Sequence, residues 1–298
     1  MRGLIKLPGS GLFKPVPVME KITSVQSMRS AAAALRAAGR PVALLPTLGA
    51  LHAGHASLIR LAKARGHAVV VSAFVNPLQF GPNEDFARYP RTPETDAELA
   101  GREGADILFR PEETELFPKG FSTQVEETVI SKTLCGVSRP QLFRGVLTCW
   151  SKLISIVQPA VMVMGERDAQ QVAVVRKAAA DLHWPIRVLT GPTVRETDGL
   201  AVSARNTYLA GSQRTEAAVL HAALRKVSEM VAAGVRSPDR LVAEATHIIA
   251  ERRRLRVIYI AVVDRATMEP VREVVPGECL MALSCWVDEV RLTDNTPL

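Results

Sequence analysis

Apolar runs of strand length alternate with amphipathic segments of helix length through the first two thirds of the chain. This alternation is typical of a parallel β-sheet whose strands are joined by crossover helices, so the chain is predicted to be an α/β protein. The predicted strands are 42–46, 68–75, 106–109, 161–164 and 186–189, and the predicted helices are 56–64, 92–102, 146–157 and 169–182.

The pattern changes near Pro192. Helical periodicity at 212–233 and 238–253 is followed by the apolar stretches "VIYIAVVD" and "CLMALSCWVDEVRLTDN", so strands now follow helices instead of alternating with them. We therefore predict a first domain at 19–192 and a smaller α+β domain at 193–298. Residues 1–18 contain Pro and Gly where a signal peptide needs an unbroken apolar core, and they are interpreted as a flexible leader or a cloning remnant.

Composition restricts the possible partners. Lys and Arg number 37 against 30 Asp and Glu, and a net charge of +7 over 298 residues favours anionic partners. The densest basic run, "ERRRLR" at 251–256, leads into an apolar strand and is interpreted as a solvated helix end, so no nucleic-acid partner is expected. No apolar run reaches the ~18 residues of a membrane span. Four cysteines without a C-x-x-C pair indicate a reducing cytoplasm.

The stretch "LLPTLGALHAGH" at 44–55 joins a predicted strand to a predicted helix through a glycine-rich turn and carries two histidines. Ligands of open α/β sheets bind beyond the carboxyl ends of strands, and the N-terminus of a helix suits phosphate. A zinc site is disfavoured, because a third ligand and the Glu of an H-E-x-x-H motif are missing. His52 and His55 could be merely turn and cap residues, but two histidines on one such turn favour phosphate binding.

Three further polar segments lie at strand ends or between the predicted domains. "FVNPLQFGPNEDFARYPRT" places Asn76 and Gln79 where amides could bind hydroxyls and a carboxylate, although a Pro- and Asn-rich surface loop is the alternative. "MGERDAQQ" follows another strand, and its Asp168 could simply be an N-cap. "PTVRETDGLAVSARNTYL" carries Ser203 and Arg205 at the domain junction, where phosphate-gripping lids are often found.

In this order the motifs resemble the pantothenate synthetase family of the HIGH-type nucleotidylyltransferase superfamily. The resemblance rests on the H-x-G-H turn, F-V-N-P-x-Q-F, Y-P-R-T, G-E-x-D-x-Q-Q and P-T-V-R-E-x-D-G-L-A-x-S-x-R-N, and extends from about Lys21 to the C-terminus. Family members use ATP and Mg²⁺ to convert pantoate into pantoyl adenylate, which the amine of β-alanine attacks to give pantothenate and AMP. The resemblance implies a Rossmann-like domain followed by a small C-terminal domain.

The resemblance also implies a nucleotide site. His52 and His55 would grip the ATP phosphates and stabilise charge on the α-phosphate, and Ser203 and Arg205 would hold the β- and γ-phosphates. The implied ATP-binding residues are Pro46, Thr47, Leu48, Gly49, His52, Gly54, His55, Gly165, Arg167, Asp168, Val194, Val202, Ser203 and Arg205. The implied catalytic residues are His52, His55, Arg167, Ser203 and Arg205.

For the acid, Gln79 and Gln171 match the glutamines that hold pantoate, and Asn76 and Leu48 would shape the same region. Asp96 matches an acidic residue near the metal and is the candidate Mg²⁺ ligand. A homodimer is expected by family analogy, and the apolar "VVVSAFV" at 69–75 is compatible with pairing at an exposed sheet edge.

Several positions depart from the family pattern. Arg167 replaces a lysine, and its planar fork cannot simply reproduce the contacts of a compact ammonium group. The other departures are Leu48 for Met, Ala53 for Glu, Leu142 for His, Ala169 for Tyr, and Val202 and Ala204 in the M-S-S-R motif. Three hypotheses therefore stay open: a pantothenate synthetase, a paralogous ligase for another acid or amine, and a homologue that binds nucleotide with weakened or lost catalysis.

Overall fold

A computed structural model describes residues 19–298, so the predicted leader at 1–18 lies outside the described part of the chain. The larger unit is built on one parallel sheet. Its strands are β1 (Glu20–Ile22), β2 (Val42–Thr47), β3 (Ala68–Ala73), β4 (Ile107–Phe109), β5 (Val161–Gly165) and β6 (Arg187–Gly191). They lie in the order β1-β4-β3-β2-β5-β6, and every neighbouring pair is parallel. The predicted α/β class is confirmed.

Helices cover both faces of this sheet. They are α1 (Val25–Ala37), α2 (Ala53–Ala64), α3 (Pro93–Arg102), α4 (Glu113–Leu116), α5 (Cys135–Ser138), α6 (Leu142–Val157) and α7 (Ala169–Asp181). In β2, Leu44 packs into the core that contains Leu147 of α6, whereas Leu45 packs into the core that contains Ile59 of α2. Burial on both faces explains why the strands are continuous apolar runs in the sequence.

The smaller unit lies at the C-terminus and has its own core. It comprises α8 (Gly211–Ala217), α9 (Val219–Ala232), α10 (Pro238–Ala250), β7 (Leu255–Asp264), β8 (Cys279–Val287) and β9 (Val290–Pro297). The three strands form an antiparallel sheet in the order β7-β8-β9, and Leu283 of β8 packs against Leu220 and Leu241 of the helices. This is the predicted α+β arrangement.

Some predicted elements differ in extent. Helix α2 starts three residues before the predicted 56, because His52 caps it. Helix α6 starts at Leu142, four residues before the predicted 146. The single helix predicted at 212–233 is two helices, because α8 and α9 meet at Ala218.

Strand β1 and helices α1, α4 and α5 were not predicted, and one prediction is wrong. Strand β1 and helix α1 were missed, although Ser24 before the alanine-rich α1 is a recognisable N-cap whose hydroxyl accepts a hydrogen bond from Ser27 N at 3.1 Å. The stretch 69–75 does not form an exposed edge. It lies mostly in β3, which pairs with β2 on one side and β4 on the other, because a run this apolar is stable only inside the sheet.

The carboxyl ends of three neighbouring strands carry the polar segments noted in the sequence. Strand β2 leads into the histidine turn, β3 leads to Asn76 and Gln79, and β5 leads to Arg167. The order β3-β2-β5 makes these ends neighbours, and the chain changes direction along the sheet between β2 and β5. Parallel sheets bind ligands at such a switch point.

Helix α6 packs closely against the loop that carries the amide side chains of Asn76 and Gln79. Asn76 Nδ2 donates a hydrogen bond to Gly145 O at 3.0 Å. A methyl group added at Gly145 would lie 2.6 Å from Gln79 N and closer still to the carbonyl group of Leu78. Only glycine therefore allows this approach of helix to loop.

We expect Gly145→Ala to lower the free energy of unfolding by about 1–3 kcal/mol, because the methyl group meets backbone atoms that cannot move alone. Denaturant unfolding measures the effect. The control is Gly211→Ala in the first turn of α8, where an added methyl group would meet nothing within 4 Å. Equal stability of the two variants would contradict the close packing.

Candidate active site

The two predicted histidines cap helix α2. Nδ1 of His52, the N-cap residue, accepts a hydrogen bond from Gly54 N at 3.2 Å, and Nδ1 of His55 accepts one from His52 N at 3.2 Å. The ring centroids are 4.0 Å apart. A side chain at Gly54 would lie 3.0 Å from the His52 ring, which explains the glycine between the histidines.

These hydrogen bonds and the burial of the rings fix their protonation state. Because each Nδ1 accepts a hydrogen bond from a backbone N–H, each neutral ring carries its hydrogen on Nε2. Burial, and next the charge of Arg167, lowers the pKa of His52 to about 4. Burial, then His52 and Arg167, holds the pKa of His55 well below its usual value. At neutral pH the pair therefore offers two neutral Nε2–H donors.

The turn that leads to His52 is held by Asp96. Asp96 is 3% exposed, and its carboxylate accepts hydrogen bonds from Ala50 N (3.0 Å), Leu51 N (2.7 Å) and Thr92 Oγ1 (2.9 Å). Gly49, with a φ of +79°, brings the backbone close to this carboxylate. The predicted Mg²⁺ role of Asp96 gains no support from this geometry. Within residues 19–298, no three His, Cys, Asp or Glu side chains are grouped as metal ligands.

Arg167 follows β5 in a short 3₁₀ turn at Glu166–Asp168. Its Nη1 donates to Val202 O at 3.1 Å, and its Nη2 lies 3.3 Å from Asp168 Oδ1. Asn295 of β9 holds the backbone of this turn, because its Nδ2 donates to Glu166 O (3.0 Å) and Arg167 O (2.7 Å). The smaller unit thus fixes a cation beside the histidines.

Arg205 joins two loops across the site. Its Nε and Nη2 each lie 2.9 Å from a carboxylate oxygen of Asp85, and its guanidinium stacks on Tyr89 at 5.3 Å from the ring centroid. Burial alone would raise the pKa of Asp85, but the hydrogen bonds and charge of Arg205 lower it. Ser203 Oγ accepts a hydrogen bond from Arg205 N at 3.2 Å. A phosphate that binds Arg205 must therefore compete with Asp85.

The acid-side amides lie on the other side of β2. Asn76 is 1% exposed, and its Nδ2 also donates to Gln79 Oε1 at 3.2 Å. Asn76 Oδ1 accepts from Leu78 N at 3.2 Å, so this side chain shapes the loop. Gln79 and Gln171 both face the same cavity, together with Leu142 and Ala169.

That cavity, of about 280 Å³, gathers most of the predicted residues. It is lined by Pro46, Thr47, Leu48, His52, His55, Asn76, Gln79, Arg167, Asp168, Gln171, Ser203 and Arg205. An adjoining cavity of about 100 Å³ shares His52, His55 and Arg167 and adds Gly54, Gly165, Val194 and Val202. Gly49 and Asp96 line neither cavity.

The cavity residues that had no role in the sequence analysis include Asp85, Arg139, Arg291 and Asn295. Asp85 and Arg205 are 120 residues apart, so their pairing leaves no local signal. Asn295 did leave one, because "DN" at 294–295 places two polar residues that prove buried inside an otherwise alternating strand.

The lowered pKa values predict neutral histidines. In long-range ¹H–¹⁵N spectra, we expect both rings as Nε2–H tautomers whose signals stay constant from pH 8 to 6, with His52 protonated only near pH 4. His52→Gln and His55→Gln assign the signals. Titration of either ring near 6.5 would contradict the burial argument.

The same shifts have a thermodynamic consequence. Unfolded histidines bind protons below about pH 6.5 while these two remain neutral in the fold, so the free energy of unfolding should fall as pH drops from 6.5 towards 4.

Comparison with known proteins is consistent with this site. A family model for pantoate-beta-alanine ligase matches residues 20–297. The pantothenate synthetase of Moorella thermoacetica is 44% identical over 280 residues, which cover 94% of this chain and 99% of the relative. A solved pantothenate synthetase from Thermus thermophilus superposes with a TM-score of 0.89 at 38% identity, covering 94% of this chain and 99% of that chain.

A third similar protein was solved with ligands. The pantoate-beta-alanine ligase from Francisella tularensis, in complex with beta-gamma ATP and beta-alanine, superposes with a TM-score of 0.74 at 28% identity. The match covers 94% of this chain and 97% of that chain.

Proposed function

The chain belongs to the pantoate–β-alanine ligase family, and we infer from this membership and its cavity that it condenses pantoate with β-alanine at the expense of ATP. The observation that carries this inference is the placement of two neutral histidines and Arg167 beside Gln79 and Gln171 in one cavity. The relatives' shared name favours this reaction over a paralogous ligase or an inactive nucleotide-binding protein.

In the first step, a carboxylate oxygen of pantoate attacks the α-phosphorus of ATP, and the bond to pyrophosphate breaks. Negative charge grows on the α-phosphate oxygens. We assign the stabilisation of this charge to the Nε2–H groups of His52 and His55 and to the guanidinium of Arg167, since preorganised donors in a water-poor site lower such a barrier. Gln79 and Gln171 would hold the acid in line for attack.

In the second step, the β-alanine amine attacks the acyl carbon of pantoyl adenylate. The new C–N bond replaces the acyl–phosphate C–O bond, AMP leaves with the electron pair, and the amine loses a proton. The enclosing cavity protects the adenylate from water, which would otherwise hydrolyse it.

Ser203 and Arg205 would bind the β- and γ-phosphates of ATP after Arg205 breaks its ion pair with Asp85. We expect ATP to arrive as its Mg²⁺ complex. Because Asp96 already accepts three hydrogen bonds from its own chain, the ion would be held mainly by phosphates and water, as Mg²⁺ commonly is.

We propose that the chain divides after Pro192 and that the 193–298 unit acts as a lid. Strand β6 ends at Gly191, and the lid carries Ser203, Arg205 and Asn295 into the cavity.

Among residues 19–298, no helix is both long and apolar enough to cross a membrane. We place the reaction in the cytoplasm because all four cysteines are free thiols.

We further propose a homodimer, as expected for the family. In the irregular segment 121–128, Ser122, Thr123 and Gln124 are exposed, and no backbone hydrogen bond within residues 19–298 involves them. Nearby Val129 and Val137 are 59% and 73% exposed. Unpaired backbone beside apolar side chains suits pairing with a second copy of this chain.

Pyrophosphate exchange tests the proposed function. With ATP, Mg²⁺ and labelled pyrophosphate, we expect label to enter ATP only when pantoate is present, because adenylation is reversible without the amine. Addition of β-alanine should then release AMP and pantothenate in equal amounts. Tight ATP binding without pantoate-dependent exchange would contradict the proposal.

The same assay tests Arg167. Arg167→Ala should reduce exchange by ~10²-fold or more, since it removes a cation from the phosphate site. Arg167→Lys keeps the charge and should retain activity within about tenfold of the wild type. Arg176→Ala, an exposed arginine on α7, is the matched control. Full activity in Arg167→Ala would remove this residue from the mechanism.

A further inference from the structure

Arg291 is a cation of the cavity that has no carboxylate partner among residues 19–298. Five arginines line the cavity: Arg88, Arg139, Arg167, Arg205 and Arg291. Three of them have carboxylate partners, namely Glu84, Asp168 and Asp85, and Arg88 is exposed on Tyr208. Arg291 is half-buried, and within residues 19–298 no carboxylate lies within 4 Å of its guanidinium.

Its side chain is held in place by neutral groups. Nε donates to Ser284 Oγ at 3.2 Å, and Nη2 donates to Ser138 Oγ at 2.9 Å. Ser284 is fully buried on β8, so the guanidinium is anchored at the lid. Nη1 has no hydrogen-bond acceptor among residues 19–298. In β9, Arg291 faces the cavity while Leu292 packs into the core of the smaller unit.

The surroundings favour an anion at this position. Burial lowers the pKa of Arg291 and the nearby charge of Arg139 lowers it further, while Cys135, Tyr259 and Glu84 act in the opposite direction. The Glu84 carboxylate does not pair directly with Arg291, because both of its oxygens bind Arg139. Arg139, whose charge acts on Arg291, also donates to Gln79 O at 3.2 Å, which links Arg291 to the loop that carries Gln79. Arg291 also lines a small cavity with Arg167, Ser203 and Arg205.

The substrates of the proposed reaction offer one matching group. The ATP phosphates belong to the end that carries His52, His55 and Arg167, and the pantoate carboxylate must reach the same end to react. β-Alanine brings a second carboxylate that takes no part in bond formation. A half-buried guanidinium is well suited to hold such a group, because its donors match a carboxylate geometrically.

We propose that Arg291 binds the carboxylate of β-alanine and thereby selects an amine that carries a carboxylate. This inference rests on the proposed function. Arg291 would orient the amine towards the acyl carbon and would not touch the adenylation step. An uncharged amine would leave the guanidinium unpaired, which is how a buried polar group rejects the wrong substrate.

Arg291→Ala tests this proposal in two separate assays. Pantoate-dependent pyrophosphate exchange, without amine, should stay within about twofold of the wild type. The KM for β-alanine in amide formation should rise about 10- to 100-fold, the range expected for a lost hydrogen bond to a charged group. Turnover of 3-aminopropan-1-ol, which has a hydroxyl in place of the carboxylate, should be poor in the wild type and unchanged in the variant.

Two further variants sharpen the test. Arg256→Ala removes an exposed arginine from β7 of the same sheet and should leave both assays unchanged. Arg291→Lys should recover part of the β-alanine affinity, because the charge remains. If Arg291→Ala does not fold, Arg291→Lys replaces it in both assays.

An unchanged KM for β-alanine in Arg291→Ala or in Arg291→Lys would overturn the proposal, and so would a parallel loss of exchange. Equal kcat/KM of the wild type for β-alanine and 3-aminopropan-1-ol would also overturn it. Absence of pantoate-dependent exchange in the wild type would instead refute the proposed function.

Discussion

The parallel pairing of β2 with β3 on one side and β5 on the other is the constraint on which the rest of the structure depends. Parallel strands end at the same edge of a sheet, so three loops that are distant in sequence meet beside the histidine turn. Helices bury both faces, with Leu44 and Leu45 of β2 pointing to opposite cores. The loops can therefore be polar and specialised while the strands beneath them are rigid and apolar.

Charge balance is the second theme of the site. The chain keeps the two histidines neutral by burying them and gives most of the cavity arginines a carboxylate partner. The Arg205–Asp85 pair and the Asn295 hydrogen bonds also tie the smaller unit to the sheet. Polar contacts between the two units thus hold the groups that would meet the phosphates, and nucleotide binding should affect how the units sit together.

Sequence reasoning succeeded where one local segment supplies both the residue and its geometry. His52 and His55 are three positions apart on one turn, so their proximity follows from the backbone alone. It was less informative for Asp96, whose carboxylate holds the Ala50 and Leu51 amides 45 or more residues away in sequence. It found no role for Arg291, because a lone arginine in a strand is indistinguishable from a surface residue until the position of the smaller unit is known.

The sequence by itself determined the α/β class, the change of architecture after Pro192 and the motifs of the histidine turn, because hydrophobic periodicity and turn chemistry are local properties. Only the tertiary structure decided that Arg205 pairs with Asp85, that Asn295 holds the Arg167 turn, and that no carboxylate of residues 19–298 pairs with Arg291. These facts depend on contacts between segments more than 50 residues apart, and the energy of such a contact depends on which groups the fold brings together.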